Sequence, residues 1–212
     1  MKLYYSKTSP YSRKVLLVIY ELGIADSIEM IPVKAFDDPP ELHKNNPLGK
    51  IPTLVLSNGD SIYDSPVIAE YLQRHFGNKA ALSLESYVSG QRLQALADGM
   101  MDATFSLVME RRRPEEQRSS FWQRRWEGAI SRSIAEFERK YIDDAGQWHL
   151  GSIAMACALD YLAFRIPEND WKRQHPKTKA WFEEIVNKPS MLKTDPRQRS
   201  ELETGHNMGD LH

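Results

Sequence analysis

Three short stretches of this chain combine a hydroxyl, a carboxylate or a free backbone edge with proline. In the first, Ser9-Pro10, serine is a favoured helix N-cap and proline a favoured first helical residue. A helix N-terminus presents unpaired N–H groups and attracts anions, and a serine hydroxyl placed there can donate to a thiolate. In the second, Gly49-Lys50-Ile51-Pro52-Thr53, proline stands just ahead of an apolar run. It is either a plain strand entry or a cis-proline turn. The turn would leave the N–H and C=O of Ile51 free to pair with an extended peptide, as in strand addition. In the third, Asp64-Ser65-Pro66, an ordinary cap is again the simplest reading. The same geometry also suits a carboxylate at the helix N-terminus, with Asp64 holding a nearby ammonium.

The elements that must position these groups are readable from periodicity and turn chemistry. Lys2 to Tyr5 predicts a strand, and Tyr11 to Leu22 a helix closed by Gly23. Ile28 to Val33 predicts a second strand, and a polar, proline-rich stretch around Asp37 to Glu41 follows it. Thr53 to Leu56 and Ser61 to Tyr63 flank an Asn58-Gly59 turn and predict a hairpin, and Val67 to Phe76 a helix ended by Gly77. Beyond a change of character near residue 80 the patterns are helical. The expected helices are Ser86 to Arg113, Glu115 to Ile142, a buried Ile153 to Phe164, and Thr178 to Val186. From roughly Asp195 the chain is polar and expected to be loose. The expected fold class is therefore a small α/β domain, residues 1–78, followed by an all-α domain, residues 86–204.

Composition narrows the chemistry. The 212 residues carry 28 Lys+Arg against 29 Asp+Glu, a formal net charge of −1, which argues against a nucleic-acid binder. The single cysteine, Cys157, excludes an intramolecular disulfide, a zinc site of paired cysteines and a CxxC redox motif. It also fits a reducing, cytoplasmic setting. No apolar run approaches the length of a membrane span or a signal peptide.

In their order, Ser9-Pro10-Tyr11-Ser12-Arg13-Lys14-Val15, Asn46-Pro47-Leu48-Gly49-Lys50-Ile51-Pro52-Thr53-Leu54 and Asp64-Ser65-Pro66-Val67-Ile68-Ala69-Glu70-Tyr71-Leu72 closely resemble the glutathione S-transferase superfamily. Gln94 to Ala103 and Ala156 to Arg165 are similar to segments of its bacterial cytosolic members of the YibF type. The resemblance covers the whole chain. It implies a thioredoxin-like N-terminal domain, a helical C-terminal domain, and a cytoplasmic homodimer acting in detoxification. Glutathione would be the co-substrate, with no metal, and its thiolate would be conjugated to small apolar electrophiles.

By the same resemblance Ser9 stabilises the thiolate, with Tyr5, at the end of the first strand, as its rival. Ile51 would pair with the cysteinyl unit, Asp64 and Ser65 with the γ-glutamyl end, and Lys50 with the glycine carboxylate. Met100, Met101, Thr104, Phe105 and Val108 are candidates for the second-substrate wall, although ordinary core packing also accounts for such residues. The alternative function is a glutathione-binding or scaffold protein of the same fold with little or no turnover. One departure from the pattern stands out. At His149-Leu150-Gly151-Ser152 the Ser/Thr-x-x-Asp capping box lacks its acidic member, leaving Ser152 to cap alone.

Overall fold

The computed structural model describes residues 1–77 and 83–198. The expected link near residue 80 and the tail beyond 198 lie outside the described residues.

The N-terminal part runs β1 (Lys2–Tyr5), α1 (Pro10–Glu21), β2 (Glu29–Pro32), α2 (Pro40–Asn45), β3 (Thr53–Val55), β4 (Ser61–Ile62) and α3 (Ser65–Phe76). Its four-stranded sheet has the order β2-β1-β3-β4. β1 and β2 are parallel, with Leu3 opposite Met30, and β3 is antiparallel to β1, with Leu3 opposite Leu54. β4 returns antiparallel to β3. Period-two alternation puts Leu3 and Tyr5 on one face and Tyr4 on the other. The Tyr4 hydroxyl accepts from Asn45 Nδ2 of α2 at 3.5 Å. This is the mixed sheet with flanking helices of a thioredoxin-like fold.

The remainder is helical: α4 (Leu84–Arg111), α5 (Ser120–Lys140), α6 (Leu150–Arg165), α7 (Trp171–Gln174), α8 (Pro176–Ile185) and α9 (Pro189–Lys193). α6 is its axis, buried at every position from Gly151 to Leu162. It packs closely on α4: a Cβ at Gly151 would stand 2.8 Å from the Gly90 carbonyl oxygen.

Several boundaries differ from expectation, each for a local reason. The proline-rich stretch is not all loop, because Pro40 sits at the first helical position of α2. The second long helix starts at Ser120 rather than Glu115. Residues 115–117 form a 3₁₀ turn, Ser119 Oγ accepts the Trp122 N–H at 3.4 Å, and the Glu110 carboxylate takes the Ser119 N–H at 2.6 Å. α6 begins three residues early because its capping box is complete after all. His149 is the cap: its Nδ1 accepts the Gly151 N–H at 3.1 Å, while Ser152 Oγ accepts the His149 N–H at 2.9 Å. Imidazole and hydroxyl thus stand in for the serine and carboxylate of the usual pair. The short helices α7 and α9 had no periodic signal to announce them.

Candidate active site

Ser9 caps α1. Its Oγ accepts the Ser12 N–H at 3.2 Å, and its carbonyl accepts the Arg13 N–H at 3.0 Å. The hydroxyl proton meets no acceptor among the described residues. Ser9 is half-buried and lines a small cleft between the two parts of the chain, together with Thr8, Pro10, Cys157 and Tyr161. A hydroxyl that uses its oxygen inward keeps its proton for a ligand. That proton and the N-terminal amides of α1 favour an anion here.

The body of α1 is anchored. Arg13, only 5 % exposed, pairs with Asp160 of α6 and donates to Thr194 Oγ1 at 3.2 Å and to the Met191 carbonyl at 3.0 Å. Lys14, wholly buried, reaches Asp98 Oδ1 of α4 at 2.7 Å. Buried charges persist only when paired, and these two fasten the helix that carries Ser9 to α4, α6 and α9. Tyr11, also on α1, donates to Asp102 Oδ1 at 2.5 Å. None of these partnerships has a sequence signal, because each joins residues far apart in the chain.

The Ile51–Pro52 bond is cis. The loop before it is stitched by Asn46, a buried residue read only as part of a motif. Its Nδ2 donates to the Lys50 carbonyl at 2.9 Å and to Thr53 Oγ1 at 3.0 Å, and its Oδ1 accepts the Leu48 N–H at 3.0 Å. Gly49 turns the chain at φ +62°, a conformation L side chains rarely adopt. The backbone N–H and C=O of Ile51 have no partner among the described residues, and this half-buried edge can pair with an extended ligand. Lys50 is exposed.

Asp64 caps α3 through its carbonyl, which accepts the Ile68 N–H at 3.0 Å. Its exposed carboxylate makes no capping bond. Ser65 behind it is buried. Asp64 is close enough to Asp98 to raise that carboxyl's pKa, adding to the larger effect of burial, which Lys14 opposes. The mouth of α3 therefore lies toward α4 and the Lys14 anchor.

Tyr5 packs partly against the apolar core, where burial, and secondarily the Tyr20 phenol, raise its pKa. It shares no hydrogen bond with Ser9. Burial pushes the Cys157 thiol up to about 12, so it stays protonated although it borders the same cleft as Ser9. Met100, Met101 and Thr104 are wholly buried, and the Thr104 hydroxyl bonds back to the Met100 carbonyl at 2.9 Å. Val108 is nearly as buried. Only Phe105 of that expected wall offers a partly open side chain. It lies parallel to Phe36, with ring centroids 6.5 Å apart and planes within 4°. Phe36 comes from the loop after β2, is 76 % exposed, and carries no sequence signal for this contact. Among the described residues no three His, Cys, Asp or Glu side chains group to hold a metal ion.

The chain thus offers an anion-favouring end of α1, a free peptide edge at Ile51, a carboxylate at Asp64 without a capping bond, and a Phe36–Phe105 aromatic pair. Comparisons with known proteins place it in a lineage. A model of the glutathione S-transferase N-terminal domain matches residues 3–80. The GST-like protein YibF of Escherichia coli (strain K12) is 35% identical over 202 residues, 92% of this chain and 98% of its own. A glutathione transferase family member from Pseudomonas fluorescens Pf-5, solved with bound glutathione, superposes with a TM-score of 0.87. It is 36% identical, over 93% of this chain and 99% of that one. A second structure from the same organism, with bound S-(propanoic acid)-glutathione, gives a TM-score of 0.83 at 34% identity over 92% and 98% of the two chains. A relative 35% identical along nearly its whole length, with a family model matching the sheet-bearing N-terminal part, establishes that the chain belongs to the glutathione S-transferase family.

Proposed function

We propose that the protein is a glutathione transferase that conjugates the glutathione thiolate to small, largely apolar electrophiles. The observation that carries this reading is the Ser9 hydroxyl, its oxygen engaged by the Ser12 amide and its proton without an acceptor among the described residues. A free thiol has a pKa of about 8.5. A hydroxyl donor at a helix N-terminus lowers that value and enlarges the thiolate population at neutral pH. Ile51 offers its backbone to the cysteinyl unit, Asp64 its carboxylate to the γ-glutamyl ammonium, and Ser65 with the α3 N-terminus a site for the γ-glutamyl carboxylate. Lys50, exposed on the same loop, would meet the glycine carboxylate. The relatives solved with glutathione, and with a thioether of it, support both the ligand and the type of product.

The acceptor lies against Phe36 and Phe105, whose parallel faces suit a planar group. With an aryl chloride, the thiol proton passes to solvent and the sulfur lone pair forms the C–S bond. Chloride then departs with the C–Cl electron pair. A second copy of the chain covers the apolar side chains left exposed on α3 and at the start of α4, namely Val67, Phe76, Leu84 and Val88. A cytoplasmic role in detoxification accords with a lone, buried thiol.

The test compares native protein with Ser9→Ala by the ultraviolet thiolate absorbance of bound glutathione and by turnover of chlorodinitrobenzene. Loss of both supports the assignment, and unchanged values remove Ser9 from the chemistry. Retention on glutathione resin without turnover of any electrophile would instead make the protein a glutathione-binding scaffold.

A further inference from the structure

We propose that the acceptor cleft recognises an anionic substituent on the electrophile, a carboxylate, through Tyr161, Arg165 and Arg112. This deepens the transferase reading and rests on it. Tyr161 of α6, 6 % exposed, lines the same cleft as Ser9. Arg165, one turn further along α6, stacks its guanidinium 5.7 Å from the Tyr161 ring centroid and 4.5 Å from that of Phe164. Its Nε is buried and meets no acceptor among the described residues. A buried donor without a partner destabilises the fold, and an oxygen anion would remove that cost. Arg112, the C-cap of α4, is near enough to the Tyr161 phenol to influence its ionisation, as is Arg165. Tyr161 in turn is felt by Tyr11, two residues after Ser9. The phenol and both arginines therefore belong to one neighbourhood beside the thiol site.

The nearby acids are already engaged. Of the three consecutive arginines ending α4, Arg111 pairs with Glu168 and, at 3.5 Å, with Glu127, and Arg113 reaches Glu110 at 3.6 Å. Asp160 is taken by Arg13 and Arg197, and Asp102 accepts from Tyr11. Arg112 and Arg165 are left without a carboxylate within ion-pair distance among the described residues. Cations at helix C-termini do complement the helix dipole. That effect alone does not call for two helices to end with arginines around one phenol. Burial keeps the phenol protonated, so it and both guanidiniums can all donate. Such a set matches a ligand group rich in acceptors, and a planar carboxylate fits the guanidinium fork. The substrate class is accordingly a planar, conjugated or aryl electrophile that carries a carboxylate beyond its reacting carbon.

The test measures binding of S-carboxybenzylglutathione and S-benzylglutathione to the full chain by titration calorimetry. The carboxylated thioether should bind about tenfold more tightly. That ratio should fall toward one in Arg112→Gln and in Arg165→Gln, and Arg165→Lys should keep part of it. Circular dichroism melting checks the fold of the Arg165 variants, while Arg112 is exposed and its substitution carries no folding risk. Equal affinities in the native protein, or a ratio untouched by either glutamine variant, overturn the inference and leave the transferase reading standing. Absence of binding by both thioethers overturns the glutathione reading and the inference together.

Discussion

The N-terminus of α1 and the turn that follows it handle polar groups in opposite ways. At the mouth, Ser9 keeps its hydroxyl proton unassigned among the described residues. A turn later Arg13 and Lys14 are buried, and each is paired with an acid from the helical part. The mouth gains nothing in stability from its free donor. The seam places charges in a low-dielectric interior, where only good geometry offsets desolvation. The difference teaches how the site keeps its shape. A donor stabilises a developing or bound anion best when it is held in advance and need not reorganise, and for the proposed thiol site the holding is done by Arg13 and Lys14, whose charges are already engaged by Asp160 and Asp98.

The seam should give the largest effect when broken. Asp160→Ala leaves Arg13 and Arg197 facing each other without their shared acid. It should cost about 3–5 kcal/mol of unfolding free energy in denaturant titrations. A loss below about 1 kcal/mol would show that the seam does not hold the two parts together. Lys14→Met strands Asp98 and should cost about 3 kcal/mol, while adding Asp98→Leu should recover at least half, since an apolar pair of similar volume can replace a buried ion pair. A double-mutant cycle without that recovery would mean that Lys14 acts through something other than Asp98.

The mouth should respond in activity more than in stability. Ser9→Ala should lower turnover about 100-fold, within the range seen for loss of one aligned donor, and should shift the bound-thiol titration to higher pH. It should cost only about 1 kcal/mol in stability, as a lost cap. Tyr5→Phe should leave turnover within about twofold, and a larger fall would move the thiol contact from Ser9 to Tyr5.

The smallest effect concerns the cap of α6. Burial holds the His149 pKa below its usual 6.5, and Asp144 only partly opposes this. On acidification the unfolded chain takes up the proton first, so stability falls as pH drops through and below 6.5 and is restored above it. Protonated Nδ1 can no longer accept the Gly151 amide, and the loss should reach about 1 kcal/mol. His149→Asn, an uncharged cap, should flatten that part of the profile in melts between pH 5 and 7.

The helices and strands were mostly legible because their signals are local. Ser9-Pro10 is a cap in sequence and a cap in space, Asp64-Ser65-Pro66 opens α3 where its cap signal stands, and Asn58-Gly59 turns the β3–β4 hairpin as its backbone freedom requires. Boundaries slipped where two local signals competed. Glu115 to Gln117 has helical composition, yet the helix waits for the Ser119 cap. His149 carries no usual cap signal, because imidazole is an unusual cap, and its acceptor nitrogen becomes evident only beside the Gly151 amide.

The acceptor side of the site was far less legible. Met101, Thr104 and Phe105 share one face of α4 by helical spacing, yet packing buries Met101 and Thr104 wholly and leaves only Phe105 to meet Phe36. Phe36 carries no motif, and Tyr161 lies in the Ala156 to Arg165 segment with no site role marked there. Their roles arise from loops and helices brought together across the chain.

The sequence by itself determined the order of the strands and long helices, the Ser9 cap and the three stretches from which the glutathione site is proposed. Caps, turns and helical periodicity act within a few residues, where covalent geometry limits the choices. Only the tertiary structure decided that Lys14 meets Asp98, 84 residues away, and that Arg13 meets Asp160, 147 residues away. It also decided that Arg112 and Arg165 are left over beside Tyr161. A charge takes its meaning from its partner and its burial, and both are properties of the packed chain.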